Sequence, residues 1–389
     1  MNTRGQFLFS RLVNDDLFSL FVVSTFLPTR ISFQLRIWDW FQQYCPWVLQ
    51  GIAMVYGMIV RIRRKAYHGG WLRPQRLSKL VISVGNVTVG GTGKTPFVIW
   101  LAHQLHAKGK RVAILSRGYG RQDPSKHLMV ADGKGHVKGW RQSGEEPTMI
   151  AQDCPWAIVA VGPDRFRLGQ WVLEQALCDC FILDDGYQHL ALYRDLNLLL
   201  FDATDVTGLR GVLPAGRLRE PLEAAKEAAA FIFTRAESLS SIQPVQACIE
   251  GAIGEPINPI VVKMVPKHVR HLVSGEVRPL TFLSQRSLLV VSGIGNPQSF
   301  RDILTDCGLE VGEEIRFPDH CAYGQEEVDL IRKKIVQRDH GIVVTTEKDA
   351  VKLLEWFGKD DPVWVITTEL EFLAGEGHVL ELLNGAGVV

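Results

Sequence analysis

The chain has 389 residues, of which 46% are hydrophobic and 22% are charged, a composition typical of a globular protein with a large core. Its 43 lysines and arginines against 42 aspartates and glutamates leave a net charge of +1, which argues against a nucleic-acid partner and against an acidic disordered chain. Seven cysteines without a CxxC pair predict reduced thiols rather than disulfides or a zinc site.

Two apolar runs, Leu17–Leu27 and Trp47–Val60, characterise the first 79 residues. Each run is shorter than the roughly 20 residues that cross a bilayer as a straight helix. The second run is followed at once by basic residues, which in membrane proteins face the cytoplasm: Arg61, Arg63, Arg64 and Lys65. We expect residues 1–79 to form a membrane-anchoring region that spans, re-enters or lies on the bilayer. A buried soluble hairpin is the alternative.

From residue 80 onward, short apolar strands alternate with helical stretches, which predicts a doubly wound, mostly parallel sheet. The predicted strands of the first set are Leu80–Val84, Arg111–Leu115, Ala157–Val161, Cys180–Leu183, Leu196–Phe201 and Phe231–Thr234. Helices are predicted over Pro96–Lys108 and Glu220–Ala230. The predicted strands of the second set are Pro259–Val265, Leu288–Val291, Gly341–Thr345 and Pro362–Ile366. We predict a core domain over residues 80–250 and a smaller C-terminal α/β lobe over residues 251–389.

The strongest local motif follows the strand Leu80–Val84 and opens a helix marked by Pro96. Its residues are Gly90, Gly91, Thr92, Gly93, Lys94 and Thr95. Glycines at such a turn let backbone N–H groups converge on phosphate oxygens, while the lysine reaches the β- and γ-phosphates and the threonine hydroxyl holds Mg²⁺. The strict phosphate-loop pattern has glycine where this chain has Thr88. The motif therefore predicts a variant nucleotide-binding loop.

An acidic pair, Asp184 and Asp185, ends the apolar strand Cys180–Leu183. An acidic residue at a strand end beside a phosphate loop is the usual arrangement for holding Mg²⁺. Adjacent side chains point in different directions, so we expect one carboxylate to order the metal or its water and the other to hydrogen-bond the phosphate loop.

A kinase also needs a group that accepts or orients the proton of the attacking hydroxyl. Glu145 and Glu146 are candidates, and so is His320, whose neighbour Asp319 could tune it toward neutral pH. Each of these could equally be an ordinary loop residue.

Arginines in two turns could bind phosphate in bidentate fashion. They are Arg217 and Arg219 in the stretch GRLREP, and Arg117 and Arg121 around the tripeptide GYG. A solvated loop with internal ion pairs is the alternative for both turns.

These motifs together resemble the tetraacyldisaccharide 4′-kinases, the lipid A 4′-kinases of Gram-negative-type bacteria. The shared stretches, which occur in consistent order, are VGNVTVGGTGKTP at 84–96, LSRGYGR at 115–121, LDDGYQH at 183–189, GVLPAGRLREP at 211–221, SGIGNP at 292–297, FPDH at 317–320 and VTTEKDAVKL at 344–353. Threonine at position 88 also matches the family motif. The first 40 or so residues lie outside the resemblance.

The resemblance implies a P-loop NTPase-type α/β kinase core, a smaller C-terminal α/β lobe and an N-terminal hydrophobic helix. ATP would be the phosphate donor and Mg²⁺ the metal. The acceptor would be the 4′-hydroxyl of a tetraacyl glucosamine disaccharide 1-phosphate, giving lipid IVA. The implied location is the cytoplasmic face of the inner membrane, with the bilayer and the lipid-linked disaccharide as partners and no obligate protein partner.

The resemblance also implies roles for individual residues. Lys94 and Thr95 match the phosphate- and Mg²⁺-binding pair of the family, and Asp184 and Asp185 match its acidic pair. Glu145 replaces the catalytic Asp of a GDEP stretch. Residues expected to act in catalysis are Glu145, His320, Lys94 and Asp185, and those expected to bind substrate are Arg117, His189, Arg217, Arg219 and Glu220.

The family often has a second histidine where this chain has Cys321, and Glu145 is one methylene longer than the aspartate it replaces. A catalytic base must be accurately positioned against the group it deprotonates. Both departures therefore affect the roles expected for the carboxylate and its partner histidine more than those expected for the phosphate loop.

Two other functions are compatible with a phosphate loop. A membrane-tethered GTPase switch or metallochaperone would need a guanine-specific NKxD motif, which Thr234–Glu237 does not match. A non-catalytic membrane adaptor would not need the paired acids or a candidate base.

Overall fold

The computed structural model of the protein describes residues 45–284, 286–337 and 341–387. The strands are β1 Leu80–Asn86, β2 Val112–Ser116, β3 Leu128–Asp132, β4 Ile158–Val161, β5 Cys180–Asp184, β6 Leu196–Asp202, β7 Ala230–Thr234, β8 Pro259–His271, β9 Val277–Arg278, β10 Leu288–Ser292, β11 Val311–Arg316, β12 Ile342–Thr346 and β13 Val363–Ala374. The helices are α1 Pro46–His68, α2 Lys94–Ala107, α3 Trp140–Ser143, α4 Glu145–Asp153, α5 Arg165–Gln175, α6 Gln243–Ile253, α7 Pro297–Asp306, α8 Gln325–Gln337, α9 Glu347–Leu353 and α10 Glu376–Gly385.

All these strands belong to one sheet. Its order is β11-β10-β12-β13-β8-β7-β6-β1-β5-β2-β4-β3, with β9 beside β8. Most neighbouring strands are parallel, and the exceptions are the pairs β8–β13, β3–β4 and β8–β9. The mostly parallel α/β sheet predicted from the alternation of strands and helices is therefore confirmed.

The two halves of the chain meet along the long antiparallel pair of β8 and β13, while the first part of β8 also pairs in parallel with β7. Val379 and Leu383 of α10 pack in the same apolar cluster as Phe97 and Leu101 of α2, so the end of the chain returns to the first half. Two further clusters belong to the second half alone. The domain boundary near residue 250 stays a prediction.

Every strand predicted from the sequence lies on an observed strand, with ends that differ by a few residues. The predicted helix Glu220–Ala230 is wrong, because the chain forms only a 3₁₀ turn over Leu222–Glu227. Two contacts tie this segment to distant residues: the Glu220 carboxylate bonds to Arg64, and the Tyr187 hydroxyl donates to the Ala224 carbonyl. Such tertiary bonds outweigh intrinsic helix propensity, which is a weak determinant of structure even in this Ala- and Glu-rich segment.

The apolar run Trp47–Val60 lies in α1, whereas Leu17–Leu27 lies outside the described residues. None of the helices in the described ranges combines the length and the apolar character needed to traverse a bilayer. All seven cysteines are free thiols, in agreement with the prediction.

Candidate active site

The phosphate loop lies between β1 and α2, at the carboxyl end of the sheet. Gly93 adopts a left-handed conformation with φ of 71°, which only glycine takes at no steric cost, and α2 begins at the next residue. Two contacts from outside the loop hold its backbone: the Val89 N–H donates to the Arg217 carbonyl at 2.8 Å, and the Thr234 hydroxyl donates to the Thr92 carbonyl at 3.0 Å. The N-terminus of α2 therefore presents the loop N–H groups to an anion.

Lys94 lies beside the second aspartate of the acidic pair. Its Nζ is 3.4 Å from Asp185 Oδ1 and 3.1 Å from Asn86 Oδ1. The two residues meet because β1 and β5 are adjacent parallel strands, with Val84 opposite Asp184. Residues 90–95 with Asp184 and Asp185 form one site, which we call the phosphate site.

The two aspartates have different surroundings. Asp184 is buried, and its Oδ2 accepts a hydrogen bond of 2.8 Å from Ser116 Oγ. Asp185 Oδ2 accepts a bond of 2.7 Å from Arg219 Nη1. The backbone of Asp185 is left-handed, with φ of 54°, a strained conformation that is concentrated at functional sites.

These surroundings shift the two pKa values in opposite directions. Burial raises the pKa of Asp184, and the negative charges of Glu146 and Asp185 raise it further. Burial also opposes ionisation of Asp185, but Arg219 and Lys94 outweigh it and hold its pKa below the usual range. The charge of Glu146 therefore affects Asp184, whereas Glu145 bonds to His320, a difference that the adjacent positions of the two glutamates did not reveal.

The residues of the phosphate site fit a magnesium ion. Asp184 Oδ1 is buried and has no hydrogen-bond partner among the described residues, so a bare carboxylate oxygen is left for a cation. Of the other two predicted ligands, Asp185 follows Asp184 in the chain and Thr95 lies in the first turn of α2. Within the described ranges, no three or more His, Cys, Asp or Glu side chains are grouped closely enough to hold a metal ion by themselves. Two carboxylates and a hydroxyl are oxygen donors of the kind that Mg²⁺ prefers, and Mg²⁺ takes its remaining ligands from phosphates and water.

Glu145, the predicted base, opens α4 and faces the second half of the chain. Its Oε2 is 3.1 Å from His320 Nδ1. Because a carboxylate only accepts hydrogen bonds, Nδ1 of His320 is the donor. His320, like Asp185, has a left-handed backbone, with φ of 59°.

Two lysines of α9 complete this arrangement, and their roles were not predicted from the sequence. Lys352 is 0% exposed, and its Nζ is 3.3 Å from Glu145 Oε1. Lys348 Nζ lies 2.9 Å from Asp319 Oδ1 and 3.4 Å from His320 Nε2. The sequence did contain a signal for them: the two lysines are four residues apart in the stretch VTTEKDAVKL, so they lie on the same face of a helix. We call Glu145, His320, Lys348 and Lys352 the carboxylate cluster.

The cluster also keeps Glu145 ionised. Burial raises the pKa of this carboxyl, but the hydrogen bond from His320 and the charge of Lys352 outweigh it, so that the pKa lies below its ordinary value. A carboxylate held charged and oriented by a histidine has the properties of a general base.

Comparison with known proteins identifies the family. A family model described as tetraacyldisaccharide-1-P 4′-kinase matches residues 45–386. The chain belongs to this family. Tetraacyldisaccharide 4′-kinase of Geobacter sulfurreducens is 40% identical over 326 residues, covering 82% of this chain and 87% of the relative. The protein of the same name from Aquifex aeolicus is 38% identical over 303 residues, 77% of this chain and 88% of the relative.

The fold agrees with this assignment. The crystal structure of the "apo" form of LpxK from Aquifex aeolicus in complex with ATP superposes with a TM-score of 0.71 at 33% identity, covering 88% of this chain and 99% of that one. As a member of the tetraacyldisaccharide 4′-kinase family, the chain is a kinase, which argues against both the GTPase switch and the non-catalytic adaptor.

The residues predicted to bind substrate lie around the phosphate site, but several have protein partners. Arg219 bonds to Asp185, and Arg217 donates to the Val89 carbonyl at 2.9 Å and pairs with Asp205 at 2.9 Å. The remaining three are a buried Glu220, bonded to Arg64, a buried His189, and a half-buried Arg117 after β2. Direct contact between these residues and the substrate of a tetraacyldisaccharide 4′-kinase stays a prediction.

Proposed function

We propose that the protein transfers the γ-phosphoryl group of ATP to the 4′-hydroxyl of a tetraacyl glucosamine disaccharide 1-phosphate, giving lipid IVA. The observation that carries this proposal is the contact between Lys94 and Asp185 at the N-terminus of α2, in a chain of the 4′-kinase family. A lysine, a loop of backbone N–H groups and an acidic pair together suit the stabilisation of a transferring phosphoryl group.

At the phosphate site, the loop amides and Lys94 bind the β- and γ-phosphate oxygens and stabilise the charge that develops there. Thr95, Asp184 and Asp185 would hold Mg²⁺. When bound, Mg²⁺ supplies positive charge that neutralises the phosphate oxygens. Arg219 fixes the orientation of Asp185 through its bond to Oδ2, so that Lys94 and Arg219 approach this carboxylate from two sides.

At the carboxylate cluster, Glu145 takes the proton of the 4′-hydroxyl as the oxygen forms a bond to the γ-phosphorus, while the bond from that phosphorus to the bridging oxygen breaks and ADP leaves. The proton moves to a carboxylate oxygen of Glu145, while His320 holds the other end of the carboxylate by donating from Nδ1. Lys352 keeps Glu145 ionised before the transfer. Because Glu145 comes from the first half and His320 and Lys352 from the second, the base is oriented by contacts between the two halves.

We further propose that Arg117, His189, Arg217, Arg219 and Glu220 position the lipid phosphate or the nucleotide. Arg217 and Arg219 are the best placed of these, because both are bound to the phosphate loop or to the acidic pair. An arginine already oriented by such bonds loses less side-chain entropy when it receives a phosphate.

The outward face of α1 supports a location on the cytoplasmic face of the inner membrane. Large apolar side chains are exposed there, among them Trp47 at 71% and Met54 at 75%, and Trp71 just after the helix is 84% exposed. A contiguous apolar helix face followed by basic residues is typical of a membrane-binding surface. Docking by α1 would leave the acyl chains in the bilayer while the sugar enters the active site.

The test is incubation of the purified protein with labelled ATP, Mg²⁺ and the lipid disaccharide monophosphate in detergent micelles. We expect a bisphosphorylated lipid, formed with ATP in preference to GTP and lost when EDTA removes the metal. The variant Lys94→Ala is the control for contaminating kinases. Absence of a bisphosphorylated lipid with intact, folded protein would refute the proposal.

A further inference from the structure

Helix α1 has a second, inward face whose polar side chains are not needed for binding to a membrane. Tyr56, Arg63 and Arg64 on this face all make hydrogen bonds to the core. They do not bond to one another; their partners are Arg219, Gln188 and Glu220. Arg219 binds Asp185, Glu220 follows Arg219 in sequence, and Gln188 binds Asn86 beside Lys94, while Arg64 also binds Glu227.

The first connection runs through Arg219. The Tyr56 hydroxyl donates to the Arg219 carbonyl at 2.7 Å, and the Arg219 guanidinium donates to Asp185 Oδ2 at 2.7 Å. The next residue, Glu220, accepts a bond of 2.7 Å from Arg64 Nε, and this pair is almost completely buried. Two adjacent residues of the loop 211–221 are therefore held by α1, and one of them binds the acidic pair.

The second connection runs through Gln188. Arg63 Nη1 donates to the Gln188 carbonyl at 3.2 Å, and Gln188 Nε2 donates to the Asn86 carbonyl at 2.8 Å. The side-chain oxygen of Asn86 accepts the bond of 3.1 Å from Lys94 Nζ. Residues of α1 thus reach both charged groups of the phosphate site, Asp185 by one route and Lys94 by the other.

We propose that Tyr56 and Arg63 are positioning residues for phosphoryl transfer, so that α1 orders the phosphate site in addition to contacting the membrane. The inference rests on the proposed function of Lys94 and Asp185. Each positioning residue acts through one backbone carbonyl, that of Arg219 or that of Gln188. Loss of either bond lets the loop around Arg219 or the loop around Gln188 move. Arg219 orients Asp185, and Gln188 orients Lys94 through Asn86. Displacements of about 1 Å at such groups lower the reaction rate.

The experiment measures kcat, the KM for ATP and the melting temperature of Tyr56→Phe and Arg63→Met in detergent micelles. We expect kcat to fall about tenfold in each variant, the size expected from one lost hydrogen bond in a partly buried position. The melting temperature should fall by at most a few degrees. Binding to anionic vesicles should stay near wild type in Tyr56→Phe and should fall no further in Arg63→Met than in Arg61→Met, which removes the same charge.

Two variants with the same chemical change serve as controls. Tyr193→Phe removes a tyrosine hydroxyl at a residue whose ring lies under Arg76. Arg61→Met removes an arginine of α1 that pairs with Glu223 at 3.5 Å. The side chain of Arg61 is 57% exposed and that of Glu223 is 61% exposed. Both should keep the wild-type kcat in detergent micelles, because the ring of Tyr193 that faces Arg76 is retained and the exposed ion pair of Arg61 contributes little.

A double-mutant cycle separates positioning from a general effect on stability. If Tyr56 acts through Arg219, then adding Tyr56→Phe to Arg219→Met causes no further loss of kcat. A full additional tenfold loss would overturn the proposal, as would a fall in kcat that matches the unfolded fraction. Wild-type kcat in Tyr56→Phe and Arg63→Met with an inactive Lys94→Ala would refute the positioning role alone. An active Lys94→Ala would refute the phosphate site itself.

Discussion

The phosphate site and the carboxylate cluster are assembled in different ways. The phosphate site is built from β1, the loop after it and the end of the neighbouring strand β5, all within the first half of the chain. The carboxylate cluster joins Glu145 of the first half to His320, Lys348 and Lys352 of the second, across separations of 175 residues for His320 and 207 for Lys352. One site is complete within a single half, and the other exists only where the halves touch.

This difference separates binding from chemistry. The charged groups of the phosphate site are held by residues of the first half alone. A base that is oriented from the other half depends on contacts between the two halves. Disruption of the first site should therefore abolish all steps, whereas disruption of the second should spare ATP binding.

The largest effect is expected at the phosphate site. Lys94→Ala and Asp185→Ala should each lower kcat by about a thousandfold, because each removes a charge that stabilises the phosphoryl group or its metal. The measurement is transfer from labelled ATP by the purified variants, with circular dichroism to establish folding. Near-normal rates in folded variants would mean that the charges at this site do not drive the transfer.

Glu145→Gln is expected to lower kcat by about a hundredfold or more, the usual contribution of a general base. ATP affinity, measured by equilibrium titration, should remain within about twofold of wild type, because the phosphate site lies within the first half. Unchanged turnover would place the base elsewhere, and lost ATP affinity would show that the two sites are not separable.

Lys352→Met should lower kcat by about tenfold and change its pH dependence. The positive charge of Lys352 helps to lower the pKa of Glu145, so its removal raises that pKa. A base is active when deprotonated, and activity is lost as the pH falls through its pKa. The acid limb of the kcat profile should therefore move to higher pH.

His320 and Lys348 also lower the pKa of Glu145 and are unchanged in this variant, whereas buried Asp349 loses its ion pair with Lys352 at 3.6 Å. Lys334→Met is the control for loss of a paired lysine, since Lys334 of α8 lies 2.7 Å from Glu313 of β11 and neither residue belongs to the carboxylate cluster. An acid limb at the same pH in Lys352→Met and wild type would contradict the role of Lys352.

The smallest effect concerns the helix that carries both lysines. The Thr346 hydroxyl accepts a bond of 3.1 Å from the Asp349 N–H and caps α9. Thr346→Ala should cost about 1 kcal/mol of unfolding free energy in urea titration, with a modest fall in kcat. Asp164→Ala removes the cap of α5, which packs on β2 and β4. It should cost about as much stability without lowering kcat; equal falls in kcat would show that capping of α9 has no specific effect.

The contrast between the phosphate site and the carboxylate cluster also separates what could be predicted from the sequence from what could not. The phosphate loop, the acidic pair and each predicted strand follow from turn chemistry and short apolar runs, which are properties of adjacent residues. The helix expected over Glu220–Ala230 does not form, because Arg64 and Tyr187 bind that segment from outside. Periodicity carries no information about such partners.

By itself, the sequence determined the α/β alternation, the phosphate loop after the first strand and the residue types available for catalysis. Only the tertiary structure decided that Asp185 rather than Asp184 meets Lys94, that Lys352 is buried against Glu145, and that α1 holds Arg219 and Gln188. The physical reason is that local patterns specify strands and turns, whereas the order of strands in the sheet specifies which distant side chains come within hydrogen-bonding distance.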